Sequence, residues 1–307
     1  MQSADIRIGT RGSPLALAQA EETRRRLAAA TAIDPARIAI ETIRTTGDRI
    51  TDRPLADAGG KGLFTKEIDE ALLSGRVDIG VHSAKDMATR LPGPIVIAAC
   101  LPRADVRDAF VSPLAPTLME LPPGAVLGTS SLRRRALALR LRPDLAVVDL
   151  RGNVDTRLRR IAEGRAQATL LAAAGLARLG LLDRAASFMD VADWLPAPGQ
   201  GAIAIAARAD DTAMREKLAA IDHAPTSLAL AVERAFLAVL DGSCRTPIGG
   251  LAVIEGDTLS FSGIIVRPDG SAAHEVARSG PLADAVAMGR DAGAELARRG
   301  GPDFFHP

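Results

Sequence analysis

The sequence predicts an α/β protein of two similar lobes, each with a mainly parallel sheet flanked by helices, and a small α+β C-terminal domain. Strand-like and helix-like segments alternate from residue 5 to residue 83, and the same alternation restarts near residue 125. A long amphipathic helix and two adjacent strand-like runs follow after residue 225. At 307 residues, the chain is also longer than one hydrophobic core usually supports.

In the first lobe, strands are predicted at 5–10, 37–44 and 77–83, and helices at 13–30 and 64–75. The first helix has Ser13 as its N-cap and Pro14 in its first turn, which are the residues preferred at those positions. This βαβαβ order is typical of an open parallel sheet with helices on both faces.

In the second lobe, strands are predicted at 125–130, 145–150 and 168–173, and helices at 131–141 and 153–164. The segment LGTSSLRRRALAL repeats the pattern of IGTRGSPLALAQA near the N-terminus. Both segments run from a strand through Gly-Thr and a small hydroxyl residue into a helix. The repetition favours one structural unit used twice.

The breaker segment WLPAPGQG is followed by a predicted strand at 202–207, which is expected to return the chain to the first lobe. Beyond it, the predicted elements are a helix at 225–240, strands at 248–254 and 258–266, and a final helix at 281–299. The expected domains are 1–104 with 200–222, 105–199, and 223–307.

Composition excludes several classes of protein. A formal net charge of +1 argues against a strongly basic nucleic-acid binder. No run of 18 apolar residues lacks a charge, and the N-terminus has no apolar signal core, so a cytoplasmic protein is expected. Two distant cysteines do not form a disulfide framework, and the four histidines show no metal-ligand spacing, so no metal site is predicted.

Arginines follow the predicted strand-to-helix junctions, at positions Arg11, Arg133, Arg134, Arg151, Arg157 and Arg178. Helix N-termini at the carboxyl ends of strands bind anions, and a planar guanidinium binds both oxygens of a carboxylate. This pattern indicates a carboxylate-binding protein. Most surface arginines only solvate a helix face, and that interpretation stays open at this point.

The segment GGKGLFTK resembles a phosphate-binding P-loop but lacks two of its residues, because Leu55 and Gly62 stand where Gly and Ser or Thr are required. It is interpreted as a Gly-rich loop that presents Lys61. A plain surface loop explains the segment equally well.

Two single residues suggest chemistry. Asp86 follows a predicted strand among cations, where it is either an ion-pair partner or the one carboxylate that faces a cationic intermediate. Cys244 lies in the turn-rich DGSCRTPIGG, where its neighbour Arg245 would favour the thiolate. It is therefore either a covalent attachment point or a thiol without function. Cys100 ends an apolar run and is predicted to be a buried core residue.

Taken together, GTRGSPLAL, GGKGLFTKEI, VHSAKD, GTSSLRRRA, LRGNVDTRL, AGLARLGL, PGQGA and GSCRTPIGG resemble the porphobilinogen deaminase (hydroxymethylbilane synthase) family, in the family's order and from residue 6 to about residue 270. The resemblance implies two lobes like those of periplasmic binding proteins and a small C-terminal domain that carries the cysteine. It also implies a small-molecule substrate, no nucleic-acid or membrane partner, and a monomer.

The resemblance implies a transferase that joins four porphobilinogen molecules head to tail, releases ammonia at each addition and frees hydroxymethylbilane by hydrolysis, in haem and porphyrin biosynthesis. A dipyrromethane cofactor would be held by a thioether to Cys244. Asp86 matches the catalytic aspartate, which stabilises the positive charge that develops when ammonia leaves and assists proton transfer.

The remaining family positions also map onto this sequence. The cofactor-binding positions correspond to Lys85, Arg133, Arg134, Ser131, Thr129 and Ser83. The substrate-binding positions correspond to Arg11, Ser13, Arg151, Arg157, Arg178, Lys61 and Gln200. This chain departs from the family pattern at Asp57, where many relatives have a basic residue, and at Ala88, where they have proline.

Two other functions compete with this one. A non-catalytic, two-lobed anion-binding protein would share the lobes, but it predicts an export signal and no use for Cys244. A nucleic-acid helix at SLRRRALALRLR lacks interleaved aromatic residues and a net basic domain. The enzyme is therefore the preferred hypothesis.

Overall fold

A computed structural model describes residues 5–49, 62–240 and 246–305 of the chain. Within these ranges the strands are β1 (Ile6–Thr10), β2 (Ile38–Thr42), β3 (Ile79–Ser83), β4 (Ile95–Cys100), β5 (Asp108–Val111), β6 (Val126–Gly128), β7 (Ala146–Val148), β8 (Ala168–Ala172), β9 (Ser187–Phe188), β10 (Ile203–Arg208), β11 (Ile248–Glu255), β12 (Thr258–Val266) and β13 (Ala273–Pro281). The helices are α1 (Pro14–Thr31), α2 (Thr46–Arg49), α3 (Lys66–Leu73), α4 (Leu132–Leu141), α5 (Val154–Ala162), α6 (Ala173–Arg178), α7 (Thr212–Ala219), α8 (Ala224–Val239) and α9 (Ala285–Gly300).

The chain divides into two compact units, of which the first comprises residues 1–104 and 202–227. Its sheet has the order β2-β1-β3-β10-β4. β1 pairs in parallel with β2 and β3, whereas β10 runs antiparallel to β3 and β4. The chain therefore returns to its first sheet after residue 202, and the first three strands form the predicted parallel core.

Aliphatic side chains fill the core of the first unit, among them Ile8, Leu27 and Ile205. The helix α1 begins where the sequence predicts: Ser13 is the N-cap and its Oγ accepts a hydrogen bond from the Ala16 N–H at 3.2 Å. Cys100 ends β4 and is fully buried, which confirms its assignment to the core.

The second unit comprises residues 105–201 and 228–307. Its larger sheet has the order β7-β6-β8-β5-β9, with β6 parallel to β7 and β8, and β5 antiparallel to β8 and β9. This is the pattern of the first sheet: three parallel strands extended by two antiparallel ones. The interpretation of one unit used twice is confirmed.

A second sheet of this unit, β11-β12-β13, is wholly antiparallel. Its core contains Phe236 of α8 and Phe261 of β12, whose ring centroids lie 4.9 Å apart. The sequence prediction missed β13 and began the last helix at residue 281, whereas α9 starts at Ala285. Most residues of β13 are at least partly exposed, so its sequence lacks the apolar alternation that marks a strand.

The α/β fold class and the small C-terminal sheet are therefore as predicted. In the described part of the chain, no helix is long and apolar enough to cross a membrane. Most of the residues predicted to bind ligands lie at the carboxyl ends of the parallel strands. Two of these strands, β1 and β6, are followed directly by the helices α1 and α4.

Candidate active site

The first unit has a pocket at the carboxyl ends of β1 and β3. The side chains that line it come from the β1–α1 junction, α1, the segment before α3, and the end of β3: Arg11, Ser13, Leu15, Ala16, Gln19, Phe64, Thr65, Val81, His82, Ser83 and Asp86. Four predicted site residues, Arg11, Ser13, Ser83 and Asp86, thus line one pocket, although more than 60 residues separate the two pairs.

Asp86 ends a 3-10 turn, Ala84–Asp86, that directly follows β3. The Ala84 N–H donates to the Ala202 carbonyl at 3.0 Å, and the Met87 N–H closes the turn onto the Ala84 carbonyl at 3.3 Å. These bonds fix the turn against β10. The side chains of Lys85 and Asp86 are half-buried on this turn.

Arg11 is bound by two neighbours that the sequence analysis did not identify. Its Nε donates to Asp48 Oδ1 at 3.1 Å, its Nη2 also bonds that carboxylate, and its guanidinium lies 4.2 Å from the centroid of the Phe64 ring. Burial alone would raise the pKa of Asp48, but hydrogen bonds from Arg11 and Thr45 hold it below its ordinary value. Arg11 therefore already binds a carboxylate in this structure.

The two serines of the pocket have different hydrogen-bond partners. Ser83 Oγ accepts from Gln19 Nε2 at 2.9 Å, and Gln19 is almost fully buried on α1. Ser13 Oγ caps α1. Its hydroxyl hydrogen remains available to a ligand acceptor, since the cap uses the oxygen only as an acceptor.

His82 lies beneath the pocket and is the least expected of its lining residues. It is only 5% exposed, and its Nε2 has no hydrogen-bond partner. Burial, reinforced by the charge of Arg11, lowers its pKa to about 4. His82 is therefore neutral at pH 7 and adds no positive charge to the pocket.

In the second unit, the N-terminus of α4 carries the cofactor-binding residues that the resemblance implies. Ser131 is the N-cap and accepts from the Arg134 N–H at 3.4 Å, and Thr129 Oγ1 accepts from the Ser131 N–H at 3.2 Å. Arg133 and Arg134, in the first turn of the helix, are both buried.

The guanidinium groups of Arg133 and Arg134 converge on one carboxylate, Asp108 of β5. Arg133 Nη2 donates to Oδ2 and Arg134 Nη2 to Oδ1, each at 2.7 Å. Their Nη1 groups donate to the Leu195 and Leu170 carbonyls at 2.9 and 2.7 Å. A buried strand that was not predicted from the sequence, β5, thus brings a carboxylate between the two arginines. Cofactor binding by Arg133 and Arg134 stays a prediction.

Two further donors complete the contacts of Asp108. Trp194 Nε1 donates to Oδ2 at 2.7 Å, and Gln200 Nε2 donates to Oδ1 at 2.9 Å and to the Val106 carbonyl at 2.8 Å. Burial alone would raise the pKa of Asp108, but the charges of Arg133 and Arg134 hold it well below its ordinary value. Gln200, which was expected to bind substrate, is fully buried and contacts Asp108.

The other predicted arginines lie half-buried in the second unit. Arg157 Nε donates to the Gly152 carbonyl at 2.9 Å, and Arg178 Nη2 donates to the Gly201 carbonyl at 2.9 Å. Arg151 precedes α5, and its carbonyl accepts from Arg160 Nη1 at 3.0 Å. Arg151 thus lies at a strand-to-helix junction, whereas Arg157 lies within α5 and Arg178 is the last residue of α6. Carboxylate binding by all three stays a prediction.

Five residues singled out in the sequence lie outside the described residues: Leu55, Asp57, Lys61, Cys244 and Arg245. Among the residues that the structure describes, no three His, Cys, Asp or Glu side chains group as metal ligands would. The residues that remain as candidates for a cofactor site are the buried donors at the start of α4.

Solved structures resemble parts of this chain at low identity. A nutrient binding protein from Burkholderia cenocepacia bound to methionine is 17% identical, with a TM-score of 0.44, over 70% of this chain and 90% of that one. A methionine-binding lipoprotein from Bacillus subtilis is 12% identical, with a TM-score of 0.43, over 70% of this chain and 89% of that one.

Curated relatives match almost the whole sequence. A porphobilinogen deaminase from Nitrobacter winogradskyi is 58% identical over 99% of this chain and 98% of its own length. One from Nitrobacter hamburgensis is 58% identical over 97% of this chain and 94% of its own.

Two family models match in succession. The dipyromethane cofactor binding domain of porphobilinogen deaminase matches residues 6–216, and the C-terminal domain of porphobilinogen deaminase matches residues 227–298. Together they extend over both compact units. The chain belongs to the porphobilinogen deaminase family.

Proposed function

We propose that this chain is a hydroxymethylbilane synthase. It joins four porphobilinogen molecules head to tail, releases ammonia with each addition, and frees hydroxymethylbilane by hydrolysis, as a step of tetrapyrrole synthesis. The observation that carries the proposal is the pocket of the first unit, where Asp86 lies with Arg11 and two serines in a chain of this family. A carboxylate in one pocket with a guanidinium and hydroxyl groups suits a substrate that brings both carboxylates and a developing cation.

The cofactor of this family is a dipyrromethane, and the buried donors of the second unit fit such a group. Its pyrrole rings carry carboxylate side chains. Arg133 Nε, Arg134 Nε and Ser130 Oγ are buried and have no hydrogen-bond partner among the residues that the structure describes. Buried donors without an acceptor are rare and costly, so a ligand carboxylate near them would lower the free energy of the site.

Several residues would hold the cofactor. Arg133 and Arg134 would bind its carboxylates, with Ser131 and Thr129 beside them at the helix N-terminus. The family resemblance adds Lys85 and Ser83 to the proposed cofactor-binding residues. When bound, the dipyrromethane supplies the pyrrole ring to which the first substrate ring is joined.

Cys244 would anchor the cofactor through a thioether. Its sulfur would replace the amine on the methylene carbon of a porphobilinogen unit: a carbon–sulfur bond would form as the carbon–nitrogen bond breaks, and the thiol proton would leave with the amine as ammonia. A thioether persists through turnover, so the chain would keep its primer while the product is released. The thiolate is the nucleophilic form, and the neighbouring Arg245 favours it.

Substrate carboxylates would be bound by Arg11, Ser13, Arg151, Arg157, Arg178, Lys61 and Gln200. The Arg11–Asp48 pair supports the assignment of Arg11, because the Nε and Nη2 of this guanidinium together bind a carboxylate. For Gln200, the contact with Asp108 favours a supporting role over direct substrate contact.

Asp86 would act on the reacting ring. Its carboxylate would accept a hydrogen bond from the pyrrole N–H and stabilise the positive charge that appears when the amine leaves. It would also receive or return the proton that is exchanged as the rings join. Neutral His82 assists by adding no second positive charge beside this carboxylate. The electrostatic stabilisation is thus concentrated on Asp86.

We further propose three domains, 1–104 with 200–222, 105–199, and 223–307, in a monomeric cytoplasmic enzyme that uses no nucleic-acid or membrane partner. The repeated sheet and the separate antiparallel sheet support the three-domain division. The near-zero formal net charge supports the absence of a nucleic-acid partner. Native mass spectrometry of the purified protein tests the monomer.

The intact mass under denaturing conditions tests the function. We expect the purified protein to exceed its sequence mass by one dipyrromethane, and we expect Cys244→Ser to lack this addition. If the wild type has the bare mass, porphobilinogen is added and the mass measured again. Neither a mass increase nor ammonia release after that addition would favour the non-catalytic anion-binding protein instead.

A further inference from the structure

We infer that Asp108 is a positioning residue for the cofactor: its carboxylate orients Arg133 and Arg134 so that their Nε donors are presented to a carboxylate of the dipyrromethane. This inference rests on the proposed function. Asp108 itself is fully buried and would not touch the cofactor; it acts through the two arginines.

The geometry supports this role because the carboxylate is fully used by protein donors. Each oxygen of Asp108 accepts two hydrogen bonds: Oδ2 from Arg133 and Trp194, and Oδ1 from Arg134 and Gln200, all at 2.7–2.9 Å. No oxygen is left over for a ligand. The carboxylate therefore fixes its neighbours and does not compete for the cofactor.

The arginines, by contrast, keep one donor each. In both guanidinium groups, Nη2 binds Asp108 and Nη1 binds a main-chain carbonyl, while the buried Nε has no partner within 5–49, 62–240 and 246–305. With two of three nitrogens fixed, the plane of each guanidinium is set before any ligand arrives. Such preorganisation lowers the entropy cost of binding.

Charge also points to an anionic ligand. The side chains of Arg133 and Arg134 are 4% and 6% exposed, and within the described part of the chain the one carboxylate that both contact is Asp108. The buried cluster of Arg133, Arg134 and Asp108 therefore carries two positive charges and one negative charge. A buried charge that is not compensated is costly, so the group is suited to one further carboxylate.

Trp194 gives this network its own spectroscopic reporter. It is the single tryptophan of the chain, it is 1% exposed, and its indole N–H donates to Asp108. Its emission therefore reports both on the packing of the second unit and on the state of this carboxylate. Binding of a carboxylate by the Nε donors of Arg133 and Arg134 should therefore alter the emission of Trp194, because Asp108 contacts all three side chains.

The test compares Asp108→Asn with Asp144→Asn. Asp144 also pairs with an arginine, Arg142, at 2.7 Å in the second unit, but the pair lies at the surface. Apoprotein is mixed with porphobilinogen, and the gain of the dipyrromethane mass is followed with time. We expect Asp108→Asn to load about 10- to 100-fold more slowly than the wild type, by analogy with the loss seen when the partners that orient metal-ligating residues are removed. Asp144→Asn should load at the wild-type rate.

Trp194 emission completes the readout. A blue-shifted emission from the Asp108→Asn apoprotein would show that the unit is folded, and loading of the wild type should change the emission. Where Asp108→Asn does not fold, Trp194→Phe replaces it: this variant removes one donor to Oδ2, keeps an aromatic ring, and should load more slowly than Asp144→Asn.

The outcomes separate the two proposals. A wild type that never gains the mass overturns the proposed function and this inference with it. A wild type that loads, together with a folded Asp108→Asn or Trp194→Phe that loads equally fast, overturns the role of Asp108 alone. Slow loading of the folded variant, with normal loading of Asp144→Asn, supports it.

Discussion

Replacing Asp69 by asparagine is expected to stabilise the protein at neutral pH. Asp69 lies on α3 in the first unit, is 6% exposed, and has an Oδ1 without a hydrogen-bond partner. Burial, with a smaller contribution from the charge of Glu70, raises its pKa from 3.8 to about 6. The folded protein therefore prefers the protonated carboxyl, which asparagine imitates in shape.

The magnitude follows from this shift. A difference of about two pKa units corresponds to about 3 kcal/mol of unfolding free energy, at 1.36 kcal/mol per unit. The sign follows from proton linkage: between the unfolded pKa near 4 and the folded pKa near 6, the folded state binds more protons. The stability attributable to Asp69 is therefore full below pH 4 and falls as the pH rises to 6. The variant and the wild type should be alike near pH 4 and differ by up to about 3 kcal/mol at pH 7.

The assay is urea unfolding of both proteins at several values between pH 4 and pH 8, followed by circular dichroism because the single tryptophan lies in the second unit. Asp144→Asn is the control of opposite sign. The pKa of Asp144 is held below its ordinary value by Arg142, so its contribution is present at neutral pH and is lost as the pH falls. An Asp69→Asn variant that is less stable than the wild type at pH 7, or a difference that does not vary with pH, would refute the reasoning.

Two further predictions concern turnover and packing. Asp86→Asn should retain dipyrromethane by intact mass but lose about 100-fold or more in the rate of hydroxymethylbilane formation, because the amide cannot take a proton or carry the charge; near-normal turnover would remove its catalytic role. Gly270→Ala should destabilise the protein by at least about 2 kcal/mol more than Gly256→Ala in thermal or urea unfolding. Both glycines have positive φ, but a Cβ at Gly270 would lie 2.5 Å from the Arg140 main-chain nitrogen, whereas none of the described atoms lies within 4 Å at Gly256. Equal losses of stability in the two variants would contradict this prediction. They would show that the turn between β12 and β13, which contains Gly270, can shift away from α4 without loss of unfolding free energy.

Local signals made the architecture predictable from the sequence. Ser13 followed by proline marks the start of α1, and the structure has that cap. The restart of the alternation near residue 125 marks the second sheet, because parallel strands and their crossover helices leave a regular trace along the chain. The breaker segment before residue 202 likewise marks the return of β10 to the first sheet.

Two kinds of strand, short ones and polar ones, could not be predicted from the sequence. β5 has four residues, all buried, so it shows neither alternation nor length. β13 is an edge strand with a mostly exposed sequence, formed through its pairing with β12. Pairing partners distant in sequence stabilise such strands, and a single sequence does not reveal them.

The site divides in the same way. The sequence by itself determined which residue types stand at the carboxyl ends of the strands: the arginines, the serines and Asp86 follow from motifs that each lie within a few consecutive residues. The family, and with it the chemistry expected at Asp86 and Cys244, also follows from these motifs and from the matches over the whole chain.

Only the tertiary structure decided what those residues contact. Asp48 reaches Arg11 across 37 positions, and Asp108 meets Arg133 and Arg134 across 25 and 26. The neutral state of His82 also depends on the burial of its side chain by neighbouring elements that pack on β3. Hydrogen bonds, burial and pKa values are properties of neighbours in space, whereas caps, turns and hydrophobic periods are properties of neighbours along the chain.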